Sequence, residues 1–276
     1  MKILSIDVGM KNLAYCLMDV KKNKEYDIID WEVVNLTDSD KYICQCLKKN
    51  NKVCGKKAKY FKNTNFYCKT HAKQSNFNIP THELNINKLD KKLVSELKRL
   101  VKKYNIEVDK NIKKVTKSVL LDSIKKELIN NYLMPVVIKK ATSISLVEYG
   151  ISLKEKFSDI FNYDELDIVI IENQIGPLAL RMKTLQGMIT QHFIENDIKN
   201  IEMINSSNKL NQILGGGKKM CYSERKKASI KYTLNDLNQN SEISKWFDCF
   251  SKHKKKDDLA DCYLQGKWFI SKLDEK

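Results

Sequence analysis

Carboxylate residues at three separated positions are the part of this sequence best suited to chemistry. Asp7 ends the apolar run that opens the chain, and Glu172 directly follows four consecutive β-branched residues at 168–171. Asp258 and Asp261 are three residues apart in a segment of helical periodicity, so they share one helix face. Clustered carboxylates repel one another unless a cation neutralises them, and such oxygen ligands suit Mg²⁺ or Mn²⁺. Two such ions can activate water and stabilise the leaving oxygen in phosphodiester cleavage.

Each of these residues also has an ordinary structural interpretation. Asp7 lies just before Gly9, where aspartates commonly form turns, and acidic residues at a helix start commonly offset the helix dipole. Glu172 fits such an interpretation less well, because a carboxylate at the end of a buried strand needs a partner or a function. Asp257 lies four residues before Asp261 and can also share a helix face with it, so the sequence does not decide whether Asp257 or Asp258 is the partner of Asp261.

The periodicity of the flanking segments predicts the elements that would bring these carboxylates together. Strands are predicted over residues 3–9, 13–19, 28–36, 166–172 and 201–205. Helices are predicted over residues 145–161, 178–196 and 255–273, and from residue 223 onward. Two strand ends and one helix would then deliver the carboxylates to one edge of a sheet. The pattern indicates an α/β architecture in which helices flank a mixed sheet.

This ordered set of motifs resembles a known family. Asp7 within Ile3–Gly9, Glu172 within Ile170–Gln174, and the Asp258–Asp261 pair are similar to the RuvC-type Holliday junction resolvases of the ribonuclease H-like superfamily. The similarity is to the poxvirus and fungal mitochondrial branch, whose members large DNA viruses also carry. It covers about residues 1–36 and 145–273, and it implies a ribonuclease H-like mixed five-stranded sheet flanked by helices.

The resemblance implies a metal-dependent, structure-selective DNA endonuclease that resolves four-way junctions by paired symmetric nicks as a homodimer. The implied ligands for two Mg²⁺ or Mn²⁺ ions are Asp7, Glu172, Asp258 and Asp261. The family also uses basic residues after the fifth strand, which makes Lys209 and Lys227 catalytic candidates, with Lys226 as the alternative to Lys227. A large DNA virus as the source, and a viral replication site in the host cytoplasm as the place of action, follow from the same resemblance.

Four cysteines and one histidine between residues 41 and 75 predict a structural zinc site. The candidate ligands are Cys46, Cys54, Cys68 and His71, with Cys44 as the alternative to Cys46. The stretch is too polar to bury ordinary cysteines, since it has ten lysines and no acidic residue. A metal-stapled, lysine-rich module suits phosphate contacts. Its aromatic residues could stack on nucleotide bases, although packing around the metal is the preferred interpretation; they are Tyr60, Phe61, Phe66 and Tyr67.

The net positive charge of the chain comes from its middle segment. The 276 residues carry a net charge of +16, from 50 Lys and Arg against 34 Asp and Glu. Residues 41–140 hold 25 of those basic residues and seven acids, whereas residues 141–276 are nearly balanced and residues 1–40 are slightly acidic. Residues 1–40 and 141–276 therefore form the predicted nuclease core, and the middle is an insertion. The insertion comprises a zinc module at 41–75 and a basic part at 76–140, with helices predicted over 89–104 and 117–133, and we expect it to grip branched DNA.

Composition and motifs also exclude or disfavour other classes. No apolar run is long enough for a transmembrane helix, and the early Asp7 does not suit a signal peptide, which predicts an intracellular protein with no membrane contact and reduced or metal-bound cysteines. Two alternatives stay open: a RuvC-like nuclease acting on flaps, transposon ends or RNA-guided targets, and a non-catalytic zinc-dependent nucleic-acid-binding protein. An actin-like or sugar-kinase fold is disfavoured, because its second phosphate loop is missing.

Overall fold

The computed structural model describes residues 1–37, 41–108, 114–175, 179–206 and 221–273. The strands are β1 Lys2–Asp7, β2 Asn12–Val20, β3 Tyr26–Asn35, β4 Tyr60–Lys62, β5 Asn65–Tyr67, β6 Met134–Pro135, β7 Ile168–Asn173 and β8 Ile201–Asn205. The helices are α1 Lys69–Gln74, α2 Ile86–Leu89, α3 Val94–Lys103, α4 Lys117–Asn131, α5 Leu146–Ile160, α6 Leu180–Glu195, α7 Tyr222–Gln239, α8 Phe247–Lys252 and α9 Lys256–Ser271. Short 3₁₀ turns occur at His82–Leu84, Ala141–Ser143, Tyr163–Glu165 and Ser244–Trp246.

The chain divides into two compact units. Met1–Asp38 and Lys139–Lys276 form one, the sheet unit, and Ser39–Ile138 form the other, the basic unit. The sheet unit corresponds to the two near-neutral segments of the sequence. The predicted zinc module and the predicted helical part lie together in the basic unit rather than in two separate bodies.

The sheet unit is built on a five-stranded sheet in the order β3-β2-β1-β7-β8. β1, β2 and β3 form an antiparallel meander, while β7 and β8 continue the sheet parallel to β1. This is the mixed five-stranded sheet that the resemblance to ribonuclease H-like proteins implies. Most of its elements lie within two residues of their predicted bounds, because their apolar patterns are long and regular.

Hydrophobic clusters cover both faces of this sheet. On one face, Ile3 of β1 and Ile170 of β7 join the cluster that contains the apolar residues of α9. On the other face, Leu4 of β1 and Val169 of β7 join the cluster that contains those of α5 and α6. Since side chains alternate along a strand, the odd-numbered residues of β1 and the even-numbered residues of β7 point toward α9.

Helix α9 runs antiparallel to β1. The Ser5 hydroxyl donates a 2.7 Å hydrogen bond to the carbonyl of Cys262, near the middle of the helix. Lys24, in the turn between β2 and β3, donates to the carbonyl of Ser271 at the helix end. That turn adjoins the start of β1, where Lys2 pairs with the β2 strand. The N-terminal end of α9 therefore lies toward the C-terminal ends of β1 and β7.

The basic unit combines a small sheet with four helices. Its strands follow the order β5-β4-β6, and the buried leucines of α3 pack against those of α4. Buried Lys62 of β4 joins the two parts, because its ammonium donates hydrogen bonds to the carbonyls of Ile129, Asn130 and Tyr132 at the end of α4. None of the described helices combines the length and apolar character needed to cross a membrane.

Candidate active site and metal centre

Asp7 and Glu172 are neighbours at the C-terminal edge of the central sheet. β1 and β7 are parallel, and their last registered pair is Ile6 with Ile171, so the two acids follow as the next pair. Asp7 is an odd-numbered residue of β1 and Glu172 an even-numbered residue of β7. Both side chains therefore leave the sheet on the face that α9 covers.

Helix α9 directs its two carboxylates to the same edge. Gln265 is buried in the sheet–helix interface, where its side-chain amide donates 3.2 Å hydrogen bonds to the Ser5 hydroxyl and the Ile6 carbonyl. Asp261 and Asp258 lie one and two turns before Gln265, within about 40° of its direction around the helix. Because α9 is antiparallel to β1, this stripe extends from the middle of β1 toward the strand ends that carry the other two acids.

A cavity of about 230 Å³ opens beside these carboxylates. Its described lining comes from the ends of β7 and β8, from α7 and from α9, and consists of Glu172, Ser206, Tyr222, Arg225, Lys226, Ser229 and Asp261. Acidic side chains from strand and helix thus share one cavity with two cations of α7. Such a site can hold a divalent cation on its acidic side and a phosphate on its basic side.

The adjacent acids Asp257 and Asp258 have different electrostatic surroundings. Burial alone would raise the pKa of Asp257, but a hydrogen bond from Lys226 and the charge of that lysine hold it below its usual range. Burial raises the pKa of Asp258, and the charge of Asp257 adds to this, while Lys255 at 3.3 Å partly opposes it. Asp257 is therefore hydrogen-bonded to a lysine, whereas Asp258 is a half-buried carboxylate whose ionised form a further cation would stabilise.

These residues fit the divalent metal ions that the ribonuclease H-like fold implies. All four candidate ligands offer carboxylate oxygens, which are the donors that Mg²⁺ and Mn²⁺ prefer. The pKa of Asp258 is raised, because Lys255 offsets only part of the effect of burial and of the charge of Asp257. A bound cation would offset the rest.

The structure distinguishes among the predicted basic residues. Lys226 lines the cavity and lies 5.0 Å from the ring centre of Tyr222, whereas Lys227 is exposed on α7 and is not among the described lining residues. One step along a helix turns the side chain by about 100°, which separates the two lysines. Lys209 lies outside the described residues. Arg225 and Tyr222 also line the cavity, although sequence reasoning did not select them; the signal was the Tyr222–Lys226 spacing of one helical turn.

A second candidate site lies in the basic unit, where Cys44, Cys54, Cys68 and His71 place their ligand atoms within 4.8 Å of one another. The Sγ atoms of Cys44 and Cys68 are 3.2 and 3.5 Å from His71 Nδ1, and those of Cys54 and Cys68 are 4.0 Å apart. A tetrahedral ion with Zn–S bonds of about 2.3 Å and a Zn–N bond of about 2.0 Å requires ligand separations of roughly 3.5–3.8 Å. The cluster therefore has the dimensions of a single tetrahedral metal site.

The structure corrects one predicted ligand, because Cys44 joins this cluster and Cys46 does not. Cys44 is fully buried, whereas Cys46 is partly exposed and packs against the outside of the cluster. The amide of Cys44 donates to the carbonyl of Lys56, and its own carbonyl accepts from Gly55, so Cys44 lies opposite the segment that carries Cys54. Sequence spacing does not reveal this backbone register, and for that reason it favoured Cys46.

Cys68 is prepared for metal binding by the backbone around it. Burial opposes its ionisation, but hydrogen bonds from the amides of His71 and Thr70, with contributions from Cys44 and Cys54, lower its pKa to about 6. Burial raises the pKa of Cys44. A cation would favour the thiolate of both residues, since only the thiolate is a strong metal ligand.

Comparisons with known proteins agree with the family expected from the motifs. Residues 3–174 match the family described as mitochondrial resolvase Ydc2 / RNA splicing MRS1. The matched range is more than half of the chain and includes Asp7 and Glu172. A curated relative from Acanthamoeba polyphaga mimivirus, named uncharacterized protein L451, is 30% identical over 328 residues and matches 100% of this chain and 76% of its own length.

The chain is also similar to three solved structures at low sequence identity. Fowlpox virus resolvase, in complex with Holliday junction DNA, shares 14% identity over 99% of both chains with a TM-score of 0.46. The yeast mitochondrial resolvase Ydc2 shares 13% identity over 97% of this chain and 78% of its own, with a TM-score of 0.39. RuvC of T. thermophilus, also with a Holliday junction, shares 8% identity over 100% and 96% of the two chains, with a TM-score of 0.41.

Proposed function

Because the chain belongs to the mitochondrial resolvase Ydc2 / RNA splicing MRS1 family, we propose that it is a metal-dependent, structure-selective DNA endonuclease. It resolves four-way DNA junctions by paired symmetric nicks, acting as a homodimer. The observation that supports this most is the delivery of four carboxylates to one sheet edge, beside a cavity that also contains Lys226 and Arg225. The mimivirus relative supports a place of action at the site of viral DNA replication.

Asp7, Glu172, Asp258 and Asp261 would hold two Mg²⁺ or Mn²⁺ ions. When bound, the ions supply an activated water and neutralise charge at the scissile phosphate. The protein contributes rigidity, because two buried strands and a helix anchored by Gln265 fix the four carboxylates before substrate binds. Preorganised ligands of this kind do not have to be reoriented during the reaction.

Lys226 and Arg225 are the residues of this cavity suited to binding the phosphate. Burial lowers the pKa of Lys226, but the hydrogen bond and charge of Asp257 more than offset this and raise it, so the lysine keeps its positive charge. A fixed cation at the cavity stabilises negative charge as it develops on the phosphate. We therefore assign the catalytic lysine of α7 to Lys226 and not to Lys227.

The cysteine cluster would hold Zn²⁺ in a structural role. Cys44, Cys54, Cys68 and His71 supply all four ligands of a tetrahedral ion, so no position is left for substrate or water. The metal would then stabilise the lysine-rich segment 41–75. The lysines of that segment contact the phosphates of the DNA arms.

Cleavage of a synthetic four-way junction tests this proposal. We expect Asp7→Asn and Glu172→Gln to slow nicking by at least about 100-fold, since loss of a metal ligand removes several kcal/mol of transition-state stabilisation. Binding of the junction, followed by electrophoretic mobility, should persist in both variants. Normal nicking by either variant would refute the mechanism.

Other nucleic-acid substrates, tested in the same assay, distinguish junction resolution from the alternative functions. Linear duplex, flaps, RNA–DNA hybrids and structured RNA belong in the same assay, because the family description also names an RNA splicing protein. Preferential cleavage of another substrate would assign a different target to the same site. Binding without cleavage at several Mg²⁺ and Mn²⁺ concentrations would instead favour a non-catalytic zinc-dependent nucleic-acid-binding protein.

A further inference from the structure

A groove of about 410 Å³ on the basic unit is apolar although the unit itself is strongly cationic. One wall is aromatic and is formed by Tyr42, Phe61 and Phe66. The aliphatic part of the lining includes Met134, which pairs with Phe61 across β6 and β4, and Val137, which is 68% exposed. An exposed apolar surface of this kind usually marks a binding site.

The aromatic wall is fixed by the hairpin of β4 and β5. Phe61 and Phe66 are paired across the two strands, with ring centres 6.2 Å apart, and Tyr42 lies 5.4 Å from Phe66. All three rings are only half-buried, so part of each ring faces the groove. The next residue of β5, Tyr67, points to the opposite face of the hairpin, because side chains alternate along a strand. Phe61 and Phe66 therefore line the groove, whereas Tyr67 is not among its described lining residues.

Apart from the Tyr42 hydroxyl, the polar side chains of the groove are amides. Asn63, in the turn between β4 and β5, and Asn87 of α2 line it and are exposed. Each amide offers both a donor and an acceptor, which is what the edge of a nucleotide base requires. No acidic residue is present among the described residues that line the groove.

The chain segment that forms the aromatic wall favours an anionic ligand. The segment 41–75, which supplies the aromatic wall, has ten lysines and no acidic residue. Such a surface attracts polyanions and repels cationic partners. Flat aromatic rings in a lysine-rich surface are the combination with which proteins bind unpaired nucleotides, stacking the bases and pairing the phosphates with cations.

We propose that this groove binds an unpaired nucleotide of DNA, with the base stacked on the aromatic wall and its edge at the two amides. A volume of about 410 Å³ is in the range of small-molecule sites, which suits one nucleotide. Binding in the groove does not require cleavage. The choice of DNA over RNA rests on the proposed function, and a branched junction is a substrate in which unpaired bases can become available.

Fluorescence of 2-aminopurine in a single-stranded DNA oligonucleotide tests this proposal, because stacking of that base changes its emission. The full zinc-loaded chain should change the emission and bind the oligonucleotide. Phe66→Leu and Tyr42→Leu should abolish most of the emission change and weaken binding by about 10-fold, consistent with the loss of one stacked base. The salt dependence of binding should stay unchanged, since the phosphate contacts remain.

Two controls separate stacking from damage to the fold. Phe66→Tyr keeps a flat ring and should retain the emission change, and Tyr104→Leu removes a half-exposed ring of the same unit outside the groove and should have no effect. Metal content and thermal melting confirm that each variant is folded. An unchanged emission on binding wild type, or wild-type behaviour of both leucine variants, would overturn the proposal.

The remaining outcomes are also distinct. Tighter binding of a single-stranded RNA of the same sequence would overturn the choice of DNA. If Phe66-dependent stacking is observed but no four-way junction is cleaved, the groove stands and the proposed nuclease function fails. If junctions are cleaved but stacking is absent, the nuclease function stands and the groove proposal fails.

Discussion

Helix register distinguishes the adjacent Asp257 and Asp258 as candidate metal ligands. Asp258 lies within about 20° of the Gln265 direction on α9, whereas Asp257 lies about 80° away and is bonded to Lys226. We expect Asp258→Asn to abolish Mg²⁺-dependent nicking. Asp257→Asn should retain a measurable rate, because it leaves the four carboxylates in place and changes only the position of the lysine. Initial nicking rates measured across a range of Mg²⁺ concentrations check this, and equal loss in both variants would contradict it.

We expect the same Asp258 carboxylate to lower the stability of the metal-free protein. Burial and the charge of Asp257 raise its folded-state pKa, so the ionised form is less favourable in the folded chain than in the unfolded one. Asp258→Asn should therefore raise the melting temperature of the metal-free protein at neutral pH. The gain should shrink as the pH falls through the folded-state pKa and disappear below the unfolded-state pKa of about 3.9, where the wild-type group is neutral in both states. A lower melting temperature at pH 7 would show that the ion pair with Lys255 outweighs the burial of Asp258 and the charge of Asp257.

At the residue scale, the sequence predicts which kinds of residue form a site. It predicts less well which of two neighbouring residues of the same kind takes part. The order of Asp7, Glu172 and Asp261 along the chain was enough to infer a shared sheet edge, since strand ends and an amphipathic helix constrain where side chains point. The choices between Cys44 and Cys46, and between Lys226 and Lys227, each depend on a shift of one or two residues. Such a shift is decided by backbone pairing and helix rotation, which the spacing of residues does not encode.

Lys62 stabilises the basic unit by linking its small sheet to α4. The side chain is 8% exposed, and it donates to the carbonyls of Asn130 at 2.9 Å and Tyr132 at 3.1 Å as well as to that of Ile129. Lys62→Met should lower the stability of this unit by roughly 1–3 kcal/mol, because the helix-end carbonyls lose a charged donor. Hydrogen exchange of the α4 amides measures the loss, and the exposed Lys59→Met serves as the matched control. Equal exchange in both variants would contradict this role.

Metal binding by the segment 41–75 should depend on Cys44 and not on Cys46. Cys44→Ser removes a ligand of the tetrahedral cluster, so we expect it to lose the metal and with it the order of the segment. Cys46→Ser changes only a residue that packs against the cluster and should retain one metal ion per chain. Metal analysis of the purified proteins checks this, and the opposite result would restore the ligand set expected from the spacing.

At the element scale, elements with long, regular apolar patterns were predictable. Short strands that pair with distant parts of the chain were not. β8 has the bounds expected from the sequence, and α5 differs by one residue at each end. Helix α3 begins at Val94, later than predicted, because the Glu96 carboxylate accepts the Leu93 amide and caps the helix there. The strands β4 and β6 were missed, since each has at most three residues and their pairing joins distant parts of the chain.

The unequal charge of the two units predicts that the basic unit contributes more to DNA binding than the sheet unit does. Substituting Lys48, Lys49, Lys52 and Lys56 of the basic unit by Gln should weaken junction binding and reduce the slope of log affinity against log salt, by roughly one for each lysine that contacts a phosphate. The maximal nicking rate should change little, because these side chains are remote in sequence from every carboxylate of the candidate site.

A matched set of exposed lysines in the sheet unit controls for general charge. Its members are Lys22, Lys154, Lys199 and Lys231. Filter-binding titrations between low and moderate salt should show a smaller change of slope for this set than for the basic-unit set. An equal change would mean that binding follows net charge and not the segment between residues 41 and 75.

The parallel pairing of β1 with β7 sets the order in which this chain can fold during its synthesis. Ile3 leaves the ribosome early, but its partner Ile168 follows only after the whole basic unit has been made. At typical elongation rates the interval is roughly 10–30 s, during which β1 has β2 on one side and an unpaired edge on the other. The basic unit has its complete sequence, metal ligands included, before the central sheet can close. The cysteine cluster can therefore bind its metal before the carboxylate cluster assembles.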